Sequence, residues 1–447
     1  MKIICADHVL PISSDPVRRG AVAVNGEFIE AVGVREEVAA KFPDASIEDL
    51  GAAAIVPGFV NCHSHLELTA MRGALDGVEH DFRSWLVKIN ELRAAMSDED
   101  IEAAALAGAL EGAAAGVTCF GDIGRSGTAG VRALKRAGLR GIVFQETNFS
   151  PDNRTADADF KALGEKFEAL RTEETELVKV GISPHSPYTV GSRLFELIAQ
   201  YAIINRIPLS IHAAESADEH SLMTRGEGLF TEFYERFELE WQSPHCTSIE
   251  YLERLGVLST RPLLAHCVTV SDSDIARIAA NRASIAHCPK SNAKFGHGYA
   301  PFEKFLDAGV AVGLGSDSVA SNNVCDLLEE SRFAVLAARN RYQCGGLADS
   351  GDPADGGSPH EVRAHSFLTA KQALETATLG GAKALGLDHL IGTLEPGKQA
   401  DIAVISLDHA AQQPISDIEA ALVFSSNARD VKMTMVDGAV VWRSNKR

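Results

Sequence analysis

His63-Ser64-His65 closes an apolar run, Ile55-Val56-Pro57-Gly58-Phe59-Val60-Asn61-Cys62, that predicts a buried strand. Two residues apart on an extended chain, both imidazoles project from one face. Such a pair is half of a metal site. Taken alone it is weak, because most His-x-His pairs are surface or hydrogen-bonded core residues. His212 and Asp317, each closing another apolar run, supply the other half. Three imidazoles and a carboxylate suit one divalent ion, Zn²⁺ before Fe²⁺, with a position left for water. An open position marks a catalytic centre, where the ion lowers the water's pKa from about 15.7 toward about 7.

Proton handling points to the same places. Glu215 follows His212 by three residues in His212-Ala213-Ala214-Glu215. A carboxylate there can take the water's proton and return it to a substrate; the competing role is a helix N-terminal Glu. Asp317 can serve as both ligand and proton acceptor. His266 can bind the metal, or hydrogen-bond the attacking hydroxide and stabilise developing charge; the second role is the one expected.

These residues need a scaffold that brings distant strand ends together. Eight strand-length apolar runs span Val56–His63, Gly116–Asp122, Leu139–Glu146, Val178–His185, Ile207–His212, Pro262–Cys267, Ala283–Cys288 and Val310–Asp317. Amphipathic stretches such as Asp98–Ala115, Ala156–Glu176, Ser192–Asn205 and Ser271–Asn281 separate them. Runs without clean alternation are buried on both faces, as parallel strands are. Eight β-then-α units predict a (β/α)₈ barrel. A doubly wound sheet would want Gly-x-Gly-x-x-Gly after the first strand, and there is none. His63, His65, His185, His212, His266, His287 and Asp317 all lie at or just past strand C-termini. A barrel sends those ends to one mouth.

The flanks read differently. Residues 1–56 carry short strands, with Asn25-Gly26 as a hairpin turn. Residues 57–390 are the predicted barrel. Residues 391–447 hold a strand at Ile402–Ser406 and a hairpin at Met433–Trp442 turning on Asp437-Gly438. Both ends are expected to build one small β-sandwich beside the barrel. Asn323–Arg341 and Leu368–Leu385 read as helices. The Gly-, Pro- and Asp-rich stretch 345–360 reads as disorder or as a lid.

The bulk numbers narrow the partners. A net charge of −19 over 447 residues argues against nucleic acid or an anionic membrane, leaving a small-molecule substrate; a homo-oligomer stays open. Eight scattered cysteines fit a reducing compartment, and no uncharged apolar run approaches membrane-spanning length. A cytoplasmic enzyme is expected. His-Glu-x-x-His, Pro-Cys-x-x-Cys, Gly-x-Ser-x-Gly and Walker loops are all absent.

Taken together, Pro57-Gly58-Phe59-Val60-Asn61-Cys62-His63-Ser64-His65, Ser183-Pro184-His185, His212-Ala213-Ala214-Glu215, Ala265-His266-Cys267, His287-Cys288-Pro289-Lys290-Ser291-Asn292 and Leu314-Gly315-Ser316-Asp317-Ser318 resemble, in order, the signatures of the amidohydrolase superfamily. Gly397-Lys398-Gln399-Ala400-Asp401-Ile402 is similar to its C-terminal β segment. The absence of a strand-four lysine, the residue that would be a carbamylated bridging ligand, implies the mononuclear branch. That branch includes deaminases of adenosine-type nucleosides, methylthioadenosine and S-adenosylhomocysteine, with triazine hydrolases nearby. The resemblance implies a hydrolase of carbon–nitrogen bonds in cyclic amidines, with hydroxide attacking C6 of an aminopurine and ammonia leaving. It gives Glu215 the ring-nitrogen proton, Asp317 the water's proton and His185 a substrate contact. His65-Leu66-Glu67-Leu68, Phe82-Arg83-Ser84-Trp85-Leu86 and Phe144-Gln145-Glu146 look like the aminodeoxyfutalosine deaminases of the alternative menaquinone route. The resemblance implies substrate contacts from Glu91, the nearest match to a ribose-binding Glu, and from Ser318, which ends the Leu314–Ser318 motif. Glu67 either meets substrate or holds the His63/His65 strand, and Trp85 and Tyr188 either line a nucleoside pocket or simply pack. The rivals are a triazine hydrolase, a guanine- or cytosine-type deaminase, and a non-catalytic barrel that binds nucleosides or metal.

Overall fold

The computed structural model describes residues 1–236, 238–239, 241–348 and 367–444. Phe59–Ser64, Val117–Gly124, Arg140–Glu146 and Val178–Ser183 pair in that order as a parallel sheet. Ser210–Ala213, Leu263–His266, Ser284–His287 and Val312–Leu314 form a second. Parallel bridges Ile182–Leu209 and Ser64–Asp317 join the two at both seams. The Asp317 amide donates to the His63 carbonyl at 2.9 Å, which closes the ring. The result is the (β/α)₈ barrel that the alternating runs predict. Nearly every strand residue is buried, as strands covered on both faces must be.

The helices begin where local chemistry satisfies their first amides. Ser97 caps Asp98–Ala114 and Ser271 caps Asp272–Asn281, each in a reciprocal capping box with the aspartate three residues on. Ala156–Arg171 and Ser192–Asn205 fill the two crossovers on either side of the fourth strand.

Apart from the barrel, a separate sheet runs Ala439–Arg443, Val431–Val436, Ile402–Ser406, Ala53–Pro57, Lys2–Val9, Val17–Asn25 and Phe28–Val34, with Ser46–Asp49 also paired to Lys2–Val9. Both chain ends therefore build it. Asp437-Gly438 makes the predicted closing turn.

Three sequence expectations need correction. The apolar run Val56–His63 is two strands, because the chain turns at Gly58. Ala53–Pro57 pairs with Ile402–Ser406 in the end-built sheet, and Phe59 starts the barrel. A Cβ at Gly58 would sit 2.1 Å from Thr118 Cγ2, so only glycine lets the chain cross there. The helix expected over 323–341 is Leu327–Ala348. It takes in the first residues of the stretch 345–360; the rest of that expected loop or lid lies outside the described residues. The helix expected over 368–385 runs as Ala370–Glu375 and Gly381–Ala384 around a wide π turn, Thr376–Gly380. Among the described residues no helix is long and apolar enough to cross a membrane.

Candidate active site

Barrel strand one delivers His63 and, just past its end, His65; strand five delivers His212; the turn after strand eight delivers Asp317. His65 Nε2 and His212 Nε2 lie 3.2 Å apart. Asp317 Oδ1 is 3.3 Å from His63 Nε2 and 3.5 Å from His65 Nε2. Ligand atoms of His63, His65 and His212 fall within 4.8 Å of one another, and so do those of His63, His266 and Asp317.

The outer hydrogen bonds fix which nitrogens carry protons. His65 Nδ1 faces the Ile123 carbonyl and His212 Nδ1 the His185 carbonyl, each at 3.1 Å. A carbonyl only accepts, so both Nδ1 atoms donate and both Nε2 atoms present lone pairs. Two lone pairs facing each other at 3.2 Å repel unless a cation lies near both. In fully buried His63, Nδ1 lacks a hydrogen-bond partner and Nε2 faces only Asp317 Oδ1, at 3.3 Å and without good hydrogen-bond geometry. An orphaned buried nitrogen is costly, and ligating a metal would remove that cost for the one nitrogen whose lone pair binds it. The donor set therefore fits a divalent ion. Burial pushes the His63 pKa down to about 4 and that of His65 to about 3, so both rings are neutral at neutral pH, as ligands must be. Burial opposes the Asp317 charge, but the facing His63, then His266 and His65, hold its pKa well below the usual value. Ser291 and Ser321 hydroxyls donate to its Oδ2 at 2.6 and 2.8 Å, leaving Oδ1 for the histidines.

Glu215 lies beside this cluster, buried. Tyr188 donates its hydroxyl to Oε2 at 3.2 Å. His266 Nε2 and His297 Nε2 each stand 3.7 Å from Oε1. Burial raises the Glu215 pKa, which lets it hold a proton. Its backbone is clamped. Both oxygens of buried Glu219 accept amides, from Ala214 and Glu215, at 2.8 Å each. Ala214, His266, Cys267 and Asp317 all have positive φ, so the mouth is built on constrained turns.

The amidohydrolase family profile matches residues 54–441. The chain belongs to the amidohydrolase family. It is 32% identical to a 5-methylthioadenosine/S-adenosylhomocysteine deaminase of Moorella thermoacetica over 444 residues, covering 98% of this chain and 94% of that one. It is 29% identical to a 5'-deoxyadenosine deaminase of Methanothermobacter thermautotrophicus, over 96% and 91% of the two chains. Among solved structures, an adenosine deaminase of Xanthomonas campestris with bound zinc superposes with a TM-score of 0.81 at 26% identity, covering 98% and 92%.

Against this amidohydrolase frame the expected substrate contacts divide. His185 stays at the mouth: its ring sits 4.6 Å from that of His212, and its Nε2 is 3.5 Å from Glu146 Oε1. Trp85 packs in a small aromatic wall, 4.8 Å from Phe295 and 6.1 Å from Phe82, with its Nε1 unpartnered. Glu67 is engaged elsewhere. Its oxygens accept the Arg125 and Ser126 amides at 3.1 Å each, and Arg93 pairs with it. It holds the turn after strand two. Glu91 is exposed, with Lys88 as its ionic partner at 3.4 Å. Ser318 spends its hydroxyl accepting the Ala320 amide at 2.9 Å, as the cap of Val319–Asn322.

Sequence reasoning passed over Glu146 and His297 as site residues. Glu146 ends strand three, and the same strand-end rule that found the histidines marks it. His297 lies in a loop, where no periodicity marks it.

Proposed function

We propose that this amidohydrolase is a metal-dependent hydrolytic deaminase of a 6-aminopurine nucleoside of the adenosine type, working in the cytoplasm. The names of its relatives support the substrate class. The observation that carries the reading is buried Glu215, its pKa raised, beside a set of three neutral imidazoles and one carboxylate. His63, His65, His212 and Asp317 would hold the ion, Zn²⁺ before Fe²⁺, which supplies polarisation of a water and a lower pKa for it.

The chain's own residues do the rest. Asp317, with Oδ1 free of hydroxyl partners, takes a proton from the nucleophilic water as oxygen bonds to C6. Glu215 gives its proton to ring nitrogen N1, which drains electrons from C6. His266 donates Nδ1–H to Asn292 Oδ1 at 2.9 Å, so its Nε2 lone pair can accept a hydrogen bond from the attacking water. The amino group then takes the proton from Asp317 and leaves as ammonia. The new C6 hydroxyl returns a proton to Glu215, giving the carbonyl product and restoring both carboxyl groups. The near-parallel rings of Phe82 and Trp85, with Phe295 edge-on to both, offer an apolar aromatic corner suited to a purine.

An ammonia-release screen of zinc-loaded protein tests this. The panel holds S-adenosylhomocysteine, methylthioadenosine, 5'-deoxyadenosine, adenosine, aminodeoxyfutalosine, guanine and a chlorotriazine. Turnover of at least one aminopurine nucleoside is expected, falling by about 10²- to 10⁴-fold in Glu215→Gln with metal content unchanged. Ammonia from none of the nucleosides, or chloride from the triazine alone, overturns the reading.

A further inference from the structure

His297 has no part in the reaction as derived above. Its residue type is unusual for its place: it stands between Gly296 and Gly298, both with positive φ, in the loop after helix Pro289–Lys294. The ring is wedged edge-on against Phe82 at 4.9 Å and tilted on Phe295 at 5.2 Å. Only 6% of the side chain is exposed. Its Nε2 is buried, has no hydrogen-bond partner, and faces Glu215 Oε1 at 3.7 Å.

Two imidazoles approach that oxygen at equal distance, but they are not equivalent. His266 spends its ring proton on Asn292, so its Nε2 carries a lone pair and has nothing to donate. Among the described residues, His297 is the imidazole left to donate to Oε1. Tyr188 already donates to Oε2. A gap of 3.7 Å is longer than a hydrogen bond, and such contacts tighten when substrate closes the site.

We propose that His297 is a positioning residue for Glu215: its Nε2–H grips Oε1 while Tyr188 grips Oε2, so the carboxyl group presents its proton in one direction only. This rests on the deaminase reading solely for the identity of the ring that receives the proton. Fixing the acid's orientation raises the rate of proton delivery without adding to substrate binding, so the effect belongs in kcat.

Two variants separate gripping from packing. His297→Phe keeps the contacts with Phe82 and Phe295 and removes the N–H. His297→Gln keeps a side-chain N–H donor. With zinc content equal to wild type, His297→Phe should lower kcat about 10- to 100-fold and leave KM within about twofold, and His297→Gln should recover most of the loss. Full kcat in His297→Phe, or no recovery in His297→Gln, overturns the proposal. A second readout does not need turnover: ¹⁵N NMR of the zinc-loaded protein, with His297 identified by its absence in His297→Phe. An Nε2-protonated ring whose signal shifts in Glu215→Gln supports the proposal; an Nδ1-protonated ring overturns it. Should wild type deaminate no nucleoside, the deaminase reading fails while the NMR result still decides the role of His297.

Discussion

At the scale of single residues the site is governed by where protons sit. His65 and His212 spend their Nδ1 protons on carbonyls, His266 spends its own on Asn292, and their Nε2 lone pairs all turn inward. A buried carboxyl group behind them obeys the same logic. Asp122 Oδ1 accepts the Leu66 amide at 2.8 Å and the Ser64 hydroxyl at 3.1 Å, and so holds both neighbours of His65. Burial pushes its pKa up to about 8, against the Leu66 amide and with help from the Glu67 charge. The folded state therefore binds a proton that the unfolded chain has released, from about pH 4 to about pH 8. Stability falls as pH rises through that window. Asp122→Asn keeps an acceptor for both bonds and removes the titration. Urea unfolding at pH 5 and pH 8 should show the variant gaining about 1 kcal/mol or more on wild type at the higher pH. An equal offset at both pH values would contradict the assignment.

At the scale of elements, the barrel strands aim the ligands and the turns after them set the angle. The amides clamped by Glu219 lie in such a turn, where Ala214 is held at a φ of +53°. Glu219 also accepts the Ser248 hydroxyl and is itself fully buried, with a pKa that burial raises to about 7. Glu219→Ala frees both amides and should lower kcat about 10- to 100-fold with zinc content retained, checked by steady-state kinetics beside metal analysis. Strand ends are also the most legible part of the sequence, because each histidine lies at or just past the end of a mostly apolar run and parallel topology sends all such ends one way. Helix phase explains why Glu91 is exposed. On Phe82–Ala94 the inward face runs through Trp85, Ile89 and Leu92, and position 91 points elsewhere. Glu67 and Ser318 were legible as polar residues near the ligands. The backbone amides that they accept, from Arg125 and Ser126 and from Ala320, leave no mark in a sequence. His297 escaped because loops have no period.

At the scale of the molecule, two sheets must be held in register for the mouth to form. Glycine at 58 marks the crossing, but in the sequence the apolar residues run straight through it, so one strand was expected where there are two. The end-built sheet was legible from its turns, Asn25-Gly26 and Asp437-Gly438. Its fastening to the barrel was not. Arg140, opening strand three, makes a paired contact with Asp401 at 3.0 and 3.1 Å, and both side chains are almost wholly buried. Removing one partner of such a pair strands the other charge in the interior. Arg140→Ala should cost about 3–5 kcal/mol, read as a lowered urea midpoint; a change within about 0.5 kcal/mol would show the pair to be dispensable. In the proposed site, residues some 250 positions apart, from His63 to Asp317, would meet around one ion. Anomalous X-ray scattering at the zinc edge, from crystals of zinc-loaded protein, measures this directly. A single strong peak is expected, about 2.0–2.2 Å from an imidazole nitrogen of His63, His65 and His212 and from a carboxylate oxygen of Asp317. No peak among those four side chains, or one bound elsewhere, would contradict it.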